Sequence, residues 1–326
     1  MVAEAVEVPS SCMTLRLSVD TAAWNAHVAS VAGTYGDLLP VVKGNGYGFG
    51  RRELMHHTER LAGDVAVGTA HELTEVPPSL RPFVLTPIGT GVESISRNDA
   101  VLAIGSPRDL ERLDAIGAKN PVVVKIESSM HRYGAAPKNA MELRKAAEAN
   151  GHEVVAWSIH LPLSGDDTGR RREILALSEP LAADIPLHVS HVGDSVSELR
   201  ASTRHRLVVR TGTQLWLGNK SMLSLHTDVI AVRPTRAGTL AGYRNTVVTR
   251  DASLIMVGCG SSHGVSALDD GRSPFHFARQ RLDMLETPHM HTTMLLADGV
   301  SQPHEGDWVD VQQPLTRVYP DVVAWG

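Results

Sequence analysis

Short apolar runs alternate with amphipathic segments from the N-terminal region to about Gly212. Eight runs rich in β-branched residues are typical of strands: LLPVVKG, GDVAVGT, RPFVLTP, DAVLAIG, PVVVKIE, EVVAWSIH, IPLHVSH and RLVVRTG. Several are almost continuously apolar, as parallel strands buried on both faces should be. Segments typical of helices lie between them, such as SPRDLERLDAIGA, where Ser106 can cap the N-terminus, and NAMELRKAAEANG, which ends in a glycine.

Eight strand-and-helix units predict an α/β fold, namely a TIM (β/α)8 barrel over residues 13–222. An open, doubly wound parallel sheet is the alternative, because strands are easily miscounted from sequence. From about Leu223 the pattern changes to SLHTDVIAVRPTRAG, GYRNTVVTRDASLIMVG, HMHTTMLLADG and GDWVDVQQPLTRVY, which read as strands and turns. This predicts a smaller C-terminal β-domain over residues 223–326, with residues 1–12 either disordered or packed on it.

Composition narrows the class of protein. The chain has 326 residues, 42% apolar and 21% charged, with a net charge of −5, so neither nucleic acid nor an anionic membrane is an expected partner. No apolar run approaches the roughly 20 residues of a membrane span. The two cysteines, Cys12 and Cys259, lie far apart, and the N-terminus is acidic where a signal peptide is basic. We therefore expect a cytoplasmic protein.

A single lysine ends the first apolar run, within VVKGNGYGFG. Catalytic groups of TIM barrels lie at the C-terminal ends of the strands, where Lys43 is placed. The glycines that follow allow the backbone to approach a ligand closely. A lysine desolvated there has a lowered pKa and can act as a neutral amine nucleophile. A lysine that only reaches solvent from a strand end is the alternative.

The same stretch resembles VVKANAYGHG, a signature of the alanine racemase family of fold-type III enzymes, which use pyridoxal phosphate. Further elements follow in the family's order: KIESSMHRYG resembles K-V-D-T-G-M-x-R-x-G, SIHLPL resembles a strand ending in a ring-packing histidine, and VVRTGTQLWLG resembles VRxGIxxYG. SLHTDVIAVRPTRAGTLAGY resembles the start of the family's β-domain. The resemblance extends roughly from Met13 to Trp308.

The resemblance implies a pyridoxal-phosphate-dependent racemase or epimerase acting at the α-carbon of an amino acid or an amino-acid-containing metabolite. Other α-carbon chemistry (lyase, dehydratase or decarboxylase) and a cofactor-binding protein without turnover stay open. In the family each active site borrows β-domain residues from a partner subunit, so the resemblance also implies a homodimer with shared active sites. The loss of a motif near the substrate gate favours a substrate other than free alanine.

Roles can be carried over residue by residue. Lys43 would hold the cofactor and act as one catalytic base, and Tyr47 would bind the cofactor phosphate. Arg132 would orient the substrate carboxylate, because a guanidinium fork matches a carboxylate. His160 would stack on the cofactor ring, although a core histidine with a satisfied hydrogen bond is the competing interpretation. Lys125 matches a lysine that some members carbamylate, but an ordinary strand lysine is preferred.

Arg210 would face the pyridine nitrogen of the cofactor. An arginine there keeps that nitrogen unprotonated and weakens the ring as an electron sink, which favours racemisation over decarboxylation. A surface arginine in a salt bridge is the alternative. At the phosphate site, His191 and Val192 replace the family's asparagine and serine. Thr213, beside the Gly212 amide, can restore a hydroxyl donor.

The family's second base, a tyrosine in GYxDG, is absent from the matching segment VGCGSSHGVS. Racemisation with two bases needs a proton-transfer group on each face of the α-carbon. We expect His263 to take that role, because its unperturbed pKa is near neutrality, with Cys259 as the second choice.

Near the substrate gate, HMHTT retains only Met290 of the family's C-M-D-Q segment. His289 and His291 form an HxH pair that a strand would place on one face, where a metal could bind. We prefer the interpretation of a polar pocket wall without metal.

Overall fold

The computed structural model describes residues 14–299 and 301–326. Cys12, and the expectation that residues 1–12 are disordered or packed on the β-domain, lie outside the described residues. The described chain divides into two compact units. One is Asn25–Gly218, and the other combines the residues up to Trp24 with Asn219–Gly326.

The first strand of the described residues was not among those predicted from sequence. This strand, β1 (Leu15–Val19), pairs antiparallel with the strand Leu223–Thr235 and parallel with the strand Val322–Trp325. Its alternating burial fits one face turned towards a core. The predicted domains, residues 13–222 and 223–326, place residues 14–24 in the barrel. They belong instead to the second unit, because the β1 backbone is hydrogen-bonded within its sheet.

The unit Asn25–Gly218 holds a parallel sheet of eight strands. They are β2 (Leu38–Pro40), β3 (Asp64–Val67), β4 (Arg81–Val84), β5 (Val101–Ile104), β6 (Val122–Ile126), β7 (Val154–Ile159), β8 (Leu187–Val189) and β9 (Leu207–Thr211). Each strand pairs with the next along the chain from β3 to β9, and β9 pairs with β2. A parallel bridge between Val41 and Ala66 closes the ring. The predicted barrel is confirmed. The doubly wound alternative is wrong, because such a sheet reverses its strand order and leaves two open edges.

In the described part of the chain, one helix precedes the first barrel strand, one follows the last, and the others lie between barrel strands. The helices are α1 (Thr21–Tyr35), α2 (Arg51–Thr58), α3 (Pro107–Ala115), α4 (Pro137–Ala149), α5 (Asp167–Ser178), α6 (Val196–Ser202) and α7 (Thr213–Leu217). After β3 the connection is a 3₁₀ turn, Ala70–Glu75. Across residues 14–299 and 301–326, no helix has both the length and the apolar character that crossing a bilayer requires.

The second unit is built from mostly antiparallel strands around one long strand. They are β10 (Leu223–Thr235), β11 (Leu240–Ala241), β12 (Thr246–Val247), β13 (Ala252–Val257), β14 (Phe275–Phe277), β15 (Gln280–Arg281), β16 (Asp283–Met284), β17 (Thr293–Ala297), β18 (Trp308–Val311) and β19 (Val322–Trp325). The long strand β10 pairs with β1, β13 and β18. The predicted smaller β-domain after the barrel is therefore confirmed.

Candidate active site

Lys43 lies just beyond β2, at the barrel edge where all eight parallel strands end. The Val42 amide donates a hydrogen bond to the Ala66 carbonyl at 2.8 Å, so the chain is held in strand geometry up to the residue before the lysine. Lys43 reaches the surface at this edge, which we call the barrel mouth, while its amine is partly desolvated. Because β2 pairs with β9, Leu39 lies opposite Arg210. The first and last barrel strands therefore bring two cationic residues to the same mouth.

Positive charge dominates the barrel mouth. Desolvation, then Arg132, and to a smaller extent Arg210 lower the pKa of Lys43, while Glu72 opposes this shift. Lys125 is only 3% exposed, and burial together with Arg210, Arg132 and Lys43 lowers its pKa well below the usual value. Neighbouring positive charges repel one another, which disfavours protonation of each amine. A bound anion would offset this repulsion. The mouth therefore suits a phosphate or a carboxylate.

Tyr47 is buried against the turn that follows β9. Its φ of 56° lies in the left-handed region, which few non-glycine residues adopt. Gly212 permits this contact, since a Cβ atom there would stand 1.9 Å from the Tyr47 hydroxyl oxygen. Burial, followed by the charge of Glu72, raises the pKa of Tyr47. The hydroxyl therefore stays protonated and can donate a hydrogen bond beside Gly212, the residue that precedes exposed Thr213.

Arg210 is a buried cation with an unused donor. Its Nη2 donates to the Ile159 carbonyl at 2.8 Å. Its Nε is buried and makes no hydrogen bond within the described residues. Desolvation lowers the pKa of Arg210 to about 10, so the guanidinium remains charged at neutral pH. A buried donor without an acceptor is costly, and a ligand atom with a lone pair would remove that cost.

Two further basic residues of the mouth lie close to one aromatic ring. The guanidinium carbon of Arg132 lies 4.5 Å from the centre of the Tyr133 ring, and the Lys125 Nζ lies 5.0 Å from it. Both distances suit cation–π contacts. Arg132 is exposed, whereas Lys125 is buried and its lowered pKa favours the neutral amine. The neutral amine is the form that carbamylation requires, and the modification of Lys125 stays a prediction.

His160 is held neutral by its surroundings. Burial, then the charges of Arg210 and His191, lowers the pKa of His160 to about 2. Its Nδ1 lies 2.6 Å from the hydroxyl of Ser190, a residue that sequence analysis missed although it directly follows β8. The His160 and His191 rings lie 4.9 Å apart. His160 therefore presents an uncharged ring in the mouth, as a stacking partner needs.

His191 is fixed by a different contact. Its φ is 59°, and its Nδ1 lies 2.8 Å from the Leu161 carbonyl, to which it donates. The one N–H of a neutral His191 is therefore used, and only an imidazolium could also donate to a phosphate. Val192 is buried and apolar, so it offers no replacement for the family's serine. Cofactor binding by His191 and Thr213 stays a prediction.

In the second unit, both residues expected to act as the second base have structural contacts. Cys259 is fully buried, and desolvation raises the pKa of its thiol to about 12. His263 is buried and uses both ring nitrogens. Nδ1 accepts the Gly260 N–H at 3.1 Å, and Nε2 lies 3.1 Å from the Asp321 carboxylate. These contacts hold the loop together, and the catalytic role of either residue stays a prediction.

The HxH pair lies on a loop before β17, so the prediction that it lies on a strand is wrong. His289 Nε2 contacts the Glu286 carboxylate, whereas His291 Nδ1 lies 3.0 Å from the Ser262 hydroxyl. Met290 between them is exposed. Pro288 precedes the pair and, because it lacks an N–H, does not suit a paired strand. Within the described ranges, no three His, Cys, Asp or Glu residues form a group suited to a metal ion.

A parallel barrel with a cationic mouth and a lysine after its first strand, followed by an antiparallel unit, defines a class of barrel proteins that can hold an anion beside a reactive amine. The chain belongs to the alanine racemase family, because the model for the alanine racemase N-terminal domain matches residues 19–220, more than half of its length. The resemblance seen in sequence is thus confirmed. That this is a divergent member, without the family's tyrosine, stays an interpretation.

Relatives and solved structures agree with this assignment. Alanine racemase 2 of Clostridium acetobutylicum is 23% identical over 258 residues, or 70% of this chain and 65% of that protein. The chain thus matches just under two thirds of that relative. The alanine racemase of Vibrio vulnificus is 28% identical over 287 residues, covering 76% of this chain and 77% of that protein.

Two crystal structures show the same fold. The Bartonella henselae alanine racemase, which carries covalently bound pyridoxal phosphate, superposes with a TM-score of 0.72 at 17% identity, over 95% of this chain and 99% of that one. The biosynthetic alanine racemase of Pseudomonas aeruginosa gives 0.70 at 20% identity, over 96% and 99% of the two chains. At these identities the likeness establishes the fold.

The contact between Tyr47 and Gly212 can be tested by stability. Gly212→Ala should lower the free energy of unfolding by about 1–3 kcal/mol, because the new methyl group overpacks the turn. The cost should shrink in a Tyr47→Leu background, where the colliding ring is absent. Urea denaturation of the four variants measures this coupling. An equal cost in both backgrounds would show that Tyr47 does not occupy the space beside Gly212.

Proposed function

We propose that the protein is a pyridoxal-phosphate-dependent racemase or epimerase that acts at the α-carbon of an amino acid or an amino-acid-containing metabolite. Family membership supports the proposal, and so does the covalently bound cofactor of the Bartonella henselae relative. The observation that carries it is the buried, unpartnered Nε of Arg210 in a mouth that also contains Lys43 with a lowered pKa.

The residues of the mouth fit this cofactor. Lys43 would hold it covalently, and the Tyr47 hydroxyl at the Gly212 turn would bind its phosphate, with Thr213 and His191 as further candidates. Neutral His160 would lie against the ring, and Arg210 would give its unused N–H to the ring nitrogen. When bound, pyridoxal phosphate withdraws electrons from an attached amino acid and so acidifies the α-proton.

The chain's own residues would direct that chemistry towards proton exchange. The lowered pKa of Lys43 favours the neutral amine, which is the form that can accept the α-proton on one face and return it. Arg132 would orient the substrate carboxylate with its guanidinium fork. Arg210 stays charged at neutral pH, so a nitrogen beside it stays unprotonated and electron withdrawal stays limited. Limited withdrawal suits short-lived carbanions and simple reprotonation.

The opposite face of the α-carbon needs a second proton-transfer group. His263 is the residue favoured by sequence, but both of its nitrogens are occupied. His289 offers a better arrangement, because Glu286 binds its Nε2 while its Nδ1 makes no hydrogen bond within the described residues. The hydrogen bond from His289, together with those from the Tyr243 amide and Thr246, lowers the pKa of Glu286 to about 2. In the neutral imidazole, a carboxylate that accepts the Nε2 proton fixes the tautomer in which Nδ1 carries the lone pair.

We also propose a homodimer in which the antiparallel unit of one chain completes the site of the other. Leu240, Tyr243, Val247 and Met290 each keep more than half of their surface exposed. Leu240 lies opposite Val247 in a hairpin, and the Tyr243 ring lies 4.1 Å from that of His289. An exposed apolar surface of this kind is typical of an interface.

A cytoplasmic location stays a prediction. The buried thiol of Cys259, which forms no disulfide within the described residues, agrees with it.

A cofactor-binding protein without turnover is the second candidate, because Cys259 and His263 both have structural contacts. The two functions differ in one measurable property. A racemase exchanges the α-proton of its substrate for deuterium in heavy water, and a silent binding protein does not. A screen of amino acids and their derivatives by this exchange also identifies the substrate.

Cofactor attachment should depend on one lysine. With pyridoxal phosphate the protein should turn yellow, and borohydride should fix the cofactor on Lys43, as peptide mass spectrometry would show. Lys43→Ala should stay colourless, because the attacking amine is gone. Exposed Lys220 supplies the matched control, and Lys220→Ala should bind as the wild type does. A wild-type protein that takes up no cofactor would disprove the proposed function.

The second proton-transfer group can be identified by comparing two histidines. His289→Gln should lower turnover by about 10²–10⁴-fold, the usual cost of losing a positioned acid–base group, while the yellow colour remains. His263→Gln should lower the melting temperature more than the rate, because His263 holds its loop together. If the folded His263 variant is inactive and the His289 variant turns over normally, His263 is the base, as the sequence suggested.

The dimer should depend on the exposed hairpin. Leu240→Asp should shift the protein from dimer to monomer in light scattering, because a charge would be buried at the contact. Activity should fall in parallel and recover partly at high protein concentration. Tyr319→Asp, at an exposed apolar residue elsewhere in the unit, is the control. A wild-type monomer with full turnover would contradict a shared site.

A further inference from the structure

We propose that Glu72 is a positioning residue for Lys43, because its carboxylate fixes the backbone that carries the lysine and packs beside the lysine stem. Glu72 lies in the 3₁₀ turn Ala70–Glu75, shortly after β3. It is not part of a recognisable sequence motif. This inference rests on the proposed function of Lys43, but its test measures the titration of the Lys43 amine directly.

The Glu72 carboxylate joins the ends of two neighbouring strands. Its Oε1 accepts the Gly44 N–H at 2.9 Å, and its Oε2 accepts the Gly68 N–H at 2.6 Å. Gly44 directly follows Lys43, and Gly68 directly follows β3. The side chain of Glu72 is only 13% exposed, which strengthens hydrogen bonds from amides to a charged oxygen. One side chain therefore fixes the position of the peptide that follows the lysine.

A second side chain holds the same glycine from its other polar group. Arg51, at the start of α2, donates from Nη1 to the Gly44 carbonyl. Glu75 orients Arg51 through Nη2, and also through Nε at 3.1 Å. Gly44 has a φ of 61°, which other residues rarely adopt. Its N–H and its carbonyl are thus both engaged, and the main chain next to Lys43 has little freedom to turn.

Glu72 also lies beside the stem of the lysine. A Cβ atom on Gly68 would stand 3.1 Å from the Glu72 Oε2 and 3.3 Å from the Lys43 Cβ, so both side chains pack on the same glycine. The charged groups that act on the Lys43 amine are Arg132, Glu72 and Arg210. The two arginines lower its pKa and Glu72 raises it. Glu72 therefore opposes the two arginines and favours the protonated amine.

This balance matters for a group that must both accept and return a proton. An amine with too low a pKa releases its proton readily but cannot regain it at neutral pH. Removing the negative charge should therefore move the titration of Lys43 to lower pH. A carboxylate that served only to join two loops would affect stability and leave that titration unchanged.

The experiment compares wild type, Glu72→Gln, Glu72→Asp and Glu75→Gln, all prepared without cofactor. Brief acetic anhydride pulses at a series of pH values label neutral amines, and peptide mass spectrometry measures acetylation at Lys43. The rate of pyridoxal phosphate uptake above the labelling midpoint is measured separately. Glu75→Gln is the matched control, because it removes a nearby carboxylate that contacts Arg51 but accepts neither the Gly44 N–H nor the Gly68 N–H. Circular dichroism confirms that each variant is folded.

We expect Glu72→Gln to move the labelling midpoint to lower pH and to slow cofactor uptake by about ten- to a hundredfold, the scale of a misplaced reacting group. Glu72→Asp keeps the charge but is one methylene shorter, so the midpoint should stay and uptake should slow. Glu75→Gln should leave the midpoint unchanged. An unchanged midpoint in Glu72→Gln, or wild-type uptake in Glu72→Asp, would overturn the inference.

The outcomes separate this inference from the proposed function. If the wild type never takes up pyridoxal phosphate, the proposed function fails, while the labelling midpoints still decide the effect of Glu72 on Lys43. If the wild type binds the cofactor and the Glu72 variants behave like it, only the inference fails. Should Glu72→Gln not fold, the uptake rate and midpoint of Glu72→Asp decide the test.

Discussion

Closure of the barrel between its first and second strands is the constraint on which the mouth depends. The bridge from Val41 to Ala66 holds the chain in strand geometry to the residue before the lysine. The pairing of β2 with β9 brings Arg210 to the same edge. Without both contacts, residues far apart in sequence would not share one mouth. Because the strands are parallel, all of their carboxyl ends lie on one side of the barrel.

The second constraint is the concentration of positive charge that closure produces. Lys125 and Arg210 are removed from water inside the barrel, and each lowers the proton affinity of its neighbours. Protein interiors accept such charges only with partners, and Arg210 has an N–H without one. The mouth is therefore incompletely satisfied without an anionic ligand, and Glu72 is the acidic side chain that acts on Lys43 from within it.

The sequence predicted the parts of the fold that repeat locally. All eight barrel strands could be predicted from their apolar runs. The motifs that contain Lys43, Tyr47 and Arg210 predicted the positions of these residues, and their roles stay predictions. Long-range contacts were missed. His263 looked free because Asp321, which binds its ring, lies far along the chain. The contacts of Glu72 could not be predicted, because its partners are backbone amides of glycines. No pattern of side chains in the sequence indicates such hydrogen bonds.

The pairing of β1 sets an order on folding during synthesis. This strand leaves the ribosome before the barrel, whereas its partners β10 and β19 follow the whole barrel. The nascent barrel therefore forms while β1 has no neighbouring strand, and an unpaired apolar strand can join a wrong partner. The antiparallel sheet reaches its full hydrogen bonding only when Val322–Trp325 has emerged. The slowest event in folding is therefore expected to be the pairing of β1 with β19 after the barrel has formed.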